Sequence, residues 1–72
     1  MPPVPILKPE QVIVALSKIG FHFISQKGSH RKYKKGGRTV IIPMHYELAR
    51  GTLASILVQA GVTIGELMKH IK

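Results

Sequence analysis

The chain contains no cysteine and only three acidic residues among its 72. Without thiols, disulfides, thiolate metal sites and thiol catalysis are excluded, and a cytoplasmic address is expected. The acids Glu10, Glu47 and Glu66 are scattered and sit in or near helix starts, so a paired-carboxylate mechanism is excluded as well. The four histidines form no i, i+4 pair and have no carboxylate cluster beside them, which argues against a zinc site; no cofactor is expected. The apolar runs are all far shorter than the roughly 20 residues that span a bilayer. No membrane association is expected.

The opening Met1-Pro2-Pro3-Val4-Pro5-Ile6-Leu7 is too proline-rich for a signal peptide and has no basic start. It reads as an extended arm over residues 1–8, ahead of one domain over 9–72. Pro2 and Pro5 have a PxxP spacing, but a proline-stiffened tail explains them as well.

What remains is basic and globular. A hydrophobic fraction of 44% against 19% charged residues suits a packed domain rather than a disordered chain. Eleven Lys and Arg against the three acids give a net charge of +8, more than solubility requires. Six of these cations (Lys27, Arg31, Lys32, Lys34, Lys35 and Arg38) fall in one glycine-punctuated run around His30, and no acid occurs between Gln11 and Tyr46. An anionic partner follows, with a nucleic acid the natural candidate.

The apolar spacing predicts the scaffold. Val12, Ile13, Leu16 and Ile19 recur at helical period after Pro9, a favourable first helical residue, and Gly20 ends the run. From Phe21 to Gln26 the period becomes two; Ser29 to Lys35 and Arg38 to Ile42 follow as a second and a third strand. Gly36-Gly37 is a two-residue hairpin signal that sets Lys35 opposite Arg38, Tyr33 opposite Val40, Arg31 opposite Ile42 and His30 opposite Pro43. For Phe21 and Phe23 to share the face of Tyr33, Val40 and Ile42, the first hairpin needs a three-residue loop, Lys27-Gly28-Ser29, bulged at Gly28 or Ser29. All five would then pack beneath the helices.

A loop from Met44 to Arg50 precedes a second helix, capped by Thr52, with Leu53, Ile56, Leu57 and Ala60 buried and Gly61 as its stop. Thr63 to Glu66 matches a capping box for a short last helix carrying Leu67, Met68 and Ile71. The fold class is α+β, helix, three antiparallel strands, helix, with the helices on one face of the sheet and a short extra C-terminal helix.

On that register His30, Lys32 and Lys34 face solvent, and His45 falls at the same end of the sheet as His30. An exposed imidazole among phosphate-binding cations suffices for cleaving RNA, because RNA carries its own nucleophile, the 2'-hydroxyl. Cations offset the charge that develops on the phosphate. The plainer readings are an RNA-binding module that does not need His30, or a DNA-binding regulator. No predicted helix carries the cations of a recognition helix, which disfavours DNA. His22 reads as structural or surface, and His70 suits the negative end of the last helix.

In order along the chain, Gly20-Phe21, Gln26-Lys27-Gly28-Ser29-His30, Tyr33, Val40 to Pro43 with His45, Gly51-Thr52-Leu53, Ser55-Ile56-Leu57 and Ala60-Gly61 resemble the HicA family of type II toxins. The resemblance runs from about Pro9 to Glu66. It implies a double-stranded-RNA-binding-like fold, an endoribonuclease that cleaves mRNA, and a HicB antitoxin as protein partner. The histidine of the family's Gly-Ser-His motif maps onto His30, implying the catalytic role there. The family's proline-x-histidine segment maps onto Pro43-Met44-His45, where His45 is expected to support. Lys27, Ser29, Lys32, Lys34 and His45 are the expected RNA contacts, the three lysines on geometry alone. The chain departs from the family pattern in lacking a Ser or Thr cap at Lys8-Pro9 and in carrying the proline-rich arm.

Overall fold

A computed structural model describes residues 5–71. The elements run α1 (Pro9–Ile19), β1 (His22–Lys27), β2 (His30–Lys35), β3 (Arg38–Pro43), α2 (Arg50–Ala60) and α3 (Ile64–Lys69). The strands form one antiparallel sheet in the order β1-β2-β3. The helices cover its inner face, where Tyr33, Val40 and Ile42 join Val12, Ala15, Leu16, Leu53, Ile56 and Leu67 in the core. The other face is open.

Pro9 occupies the first turn of α1, and Gln11 supplies what the missing Ser or Thr cap does not: its Oε1 accepts the Lys8 backbone N–H at 2.9 Å. Within the expected apolar stripe, Val12 and Leu16 are fully buried while Ile13 and Ile19 pack at its margin. Of the proline-rich arm, residues 1–4 lie outside the described residues. Leu7 at its end is buried and bridges Leu48, whose N–H donates to the Leu7 carbonyl at 2.8 Å. The bridge fastens the loop after β3 to the start of α1.

The β2–β3 pairing has the expected register throughout. The first hairpin does not have the expected loop: Lys27 pairs with His30 across a two-residue turn, Gly28-Ser29. Such a turn alone would set Phe23 opposite Lys34. Instead the ladder shifts between Phe23 and Ser25, with Ile24 as the extra residue, and Phe23 comes to lie opposite Tyr33. The bulge sits in the strand, not in the loop.

Three further expectations are corrected. Phe23 is 53% exposed rather than packed beneath the helices, because β1 is an edge strand and all its residues are exposed. Helix α2 begins at Arg50 with Ala49 as its cap, two residues ahead of Thr52, which lies inside the first turn. Leu57 is only partly buried, leaving Leu53, Ile56 and Ala60 as the buried stripe of α2; Leu67 is the buried anchor of α3. The capping box of α3 forms as expected, Thr63 Oγ1 accepting from Glu66 N at 3.1 Å and Glu66 Oε1 accepting from Thr63 N at 3.2 Å.

Candidate functional site

Alternation along β2 divides the basic run between the two faces of the sheet. Arg31, Tyr33 and Lys35 share one face; His30, Lys32 and Lys34 share the other, with Lys27 beside His30 and His22 beside Lys34 across the β1–β2 ladder. The cations on the helix side have partners. Lys35 Nζ donates to the Ile19 carbonyl at 3.0 Å, at the negative end of α1. Arg31 Nε donates to Gln26 Oε1 at 3.0 Å, and Gln26 Nε2 donates to the Gly28 carbonyl at 2.9 Å, bracing the turn before His30. The Arg38 guanidinium lies against Gly61, in the space a side chain there would need. Lys27, Lys32 and Lys34 are exposed on the open face. The six cations are thus two sets, and three of the six lie on the same face as His30.

His30 is the first residue of β2, paired with Pro43 at the end of β3. One residue further, Met44 N–H donates to the Ser29 carbonyl at 2.6 Å and holds the chain leaving β3 against the β1–β2 turn. His45 is therefore delivered beside His30: the ring centroids are 6.4 Å apart, with the planes at 72°. Both residues are exposed. Ser29 contributes its backbone carbonyl to this arrangement, and its side chain faces solvent.

A groove of about 470 Å3 opens beside the two histidines. His30, Pro43 and His45 form one wall, α2 the other through Gly51, Thr52, Ser55 and Gln59, and Ile41 and Ile56 line it with apolar surface. Ala49 has no side chain able to cap α2, so the positive end of that helix opens on the groove at Gly51 and Thr52. Gln59 Oε1 accepts the N–H of Ile41, an outward backbone group of edge strand β3, at 2.9 Å. Sequence reasoning missed this wall. Its signal was present in the polar residues Thr52, Ser55 and Gln59, spaced i, i+3, i+7 along a helix whose other stripe is core.

Among the described residues, no group of three or more His, Cys, Asp or Glu is placed to hold a metal ion. No described helix is long and apolar enough to cross a membrane. Residues 9–62 match a protein-family model described as the HicA toxin of bacterial toxin-antitoxin systems. No curated protein matches the chain.

Proposed function

The chain belongs to the HicA family of bacterial toxins, and on that premise we propose that it is a metal-independent endoribonuclease cleaving mRNA, with His30 as its proton-transfer group. The carrying observation is the position of His30, exposed on the open face with Lys27, Lys32 and Lys34 and with the His45 ring 6.4 Å away. His30 takes the proton of the 2'-hydroxyl, whose oxygen attacks the adjacent phosphorus to close the cyclic phosphate; the bond from phosphorus to the 5'-oxygen breaks, and that oxygen takes a proton from water. His45 supports by donating to a phosphate oxygen. The lysines hold the backbone and offset the charge of the transition state, aided by the N-terminal end of α2.

The mRNA is bound in the cytoplasm through Lys27, Ser29, Lys32, Lys34 and His45, and the protein partner is a HicB-like antitoxin. An antitoxin that buries His30 and matches three lysines with acidic groups would associate quickly and block the chemistry. The products test the mechanism. Cleavage should leave a 5'-hydroxyl on one fragment and a 2',3'-cyclic phosphate on the other, and a 2'-deoxy nucleotide at the cut position should abolish it. Fragments with 5'-phosphates, or cutting at the deoxy position, would contradict the role given to the 2'-hydroxyl.

A further inference from the structure

We propose that Ser55 and Gln59 on α2 read a nucleobase of the bound RNA, favouring guanine or cytosine; this rests on the nuclease reading of the same groove. The argument begins with the orientation of one amide. The backbone N–H of Ile41 can only donate, so the atom of Gln59 that faces it at 2.9 Å must be the carboxamide oxygen. The nitrogen is thereby turned toward Ser55 and donates to its Oγ at 3.2 Å. That bond uses one of the two Nε2 hydrogens and leaves the hydroxyl hydrogen of Ser55 for another acceptor. The wall opposite the histidines thus presents two neighbouring donors, the Gln59 amide held in direction by the sheet and the Ser55 hydroxyl free to turn toward an acceptor.

Covering the edge of β3 accounts for a glutamine at position 59. It does not account for a serine one turn earlier that is exposed and lines the same groove. The lysines stand on the open sheet face, whereas the α2 residues Ser55 and Gln59 are neutral and flank the apolar side chains of Ile41 and Ile56. Charge on one side and neutral donors over an apolar bed on the other suit a nucleotide with its phosphate by the cations and its base against α2. The volume, about 470 Å3, falls in the range of sites for small organic ligands. Two adjacent donors match a base edge with two adjacent acceptors, as guanine has at O6 and N7 and cytosine at N3 and O2. Adenine and uracil have no two adjacent acceptors, the N6 amino group of adenine and the N3–H of uracil intervening, and pair with only one.

The test is binding of the hexaribonucleotides (AC)3, (AG)3 and (AU)3 to the His30→Ala protein, alone and with Ser55→Ala or Gln59→Glu added. Gln59→Glu keeps an oxygen for Ile41 and replaces the donor by an acceptor. Before the additions, (AC)3 or (AG)3 should bind about tenfold more tightly than (AU)3. Either addition should cut that ratio to about threefold or less; with Ser55→Ala, which adds no charge, the (AU)3 affinity should stay within about twofold. A ratio that survives both additions overturns the proposal. An equal loss on all three RNAs from Ser55→Ala also overturns it, making that residue a phosphate contact. Cleavage of the same RNAs by the parent protein is scored separately: cutting without any base preference overturns only this inference, while intact RNA with the preference retained overturns only the nuclease reading.

Discussion

Phe23 lies opposite Tyr33 with ring centroids 5.7 Å apart and planes at 73°, edge to face, across a strand pair whose turn has only two residues. The bulge at Ile24 makes that meeting possible, and it leaves the two rings in unlike surroundings. Tyr33 is 4% exposed and Phe23 53%.

Tyr33→Ala should therefore destabilise the domain by about 3 kcal/mol or more, while Phe23→Ala should cost about 1 kcal/mol, much of it the aromatic contact. His30→Ala, on the open face, should stay within about 0.5 kcal/mol. Urea denaturation of the three variants checks the order. Small and equal effects from Tyr33→Ala and His30→Ala would contradict the faces assigned to β2.

Gly61 ends α2 at φ 69° with the Arg38 guanidinium against it, whereas Gly28 has φ 58° with open space around it. Alanine at position 28 should cost about 1 kcal/mol for the left-handed backbone alone. Gly61→Ala should cost about 2 kcal/mol or more, since Arg38 must also move. Adding Arg38→Ala should bring the Gly61→Ala penalty down toward the Gly28→Ala value in thermal melts. A penalty at Gly61 that ignores Arg38 would show that the guanidinium is not held there.

The division of the cations has a signature in salt dependence. Replacing Lys27, Lys32 or Lys34 by alanine should weaken binding to single-stranded RNA and lower the slope of log K against log salt by about 0.7 each. Lys35→Ala should leave that slope unchanged and reduce stability instead, by releasing the end of α1. Equal slope changes from Lys34→Ala and Lys35→Ala would put both on the RNA-facing surface.

The hairpin residues made most of this arrangement legible in advance. Gly36-Gly37 and the alternation of β2 and β3 place His30 on the open face with no tertiary information, because a two-residue turn leaves one register. The β1 register was legible only as a requirement: the aromatic side chains demanded a bulge, but period-two patterning cannot say whether Ile24 or a loop residue provides it. The burial of Phe23 was overestimated because hydrophobicity does not tell an edge strand from a central one. The start of α2 was misplaced at Thr52 because Ala49 carries no capping side chain, its helix being held by Leu53, Ile56 and Ala60 in the core. The polar stripe Thr52, Ser55 and Gln59 was readable on α2, but what it faces was not: Gln59 finds Ile41 across 18 positions of chain, and no local pattern records a contact of that range.

The most direct measurement is cleavage of single-stranded RNA in excess chelator by the purified protein and by its His30→Ala variant, read on a denaturing gel. Fragments from the parent alone, with the variant folded and still binding RNA in a salt-sensitive way, are the result predicted for a metal-independent nuclease that works through His30. Intact RNA in both lanes with binding retained would contradict it, and would leave an RNA-binding module on this fold.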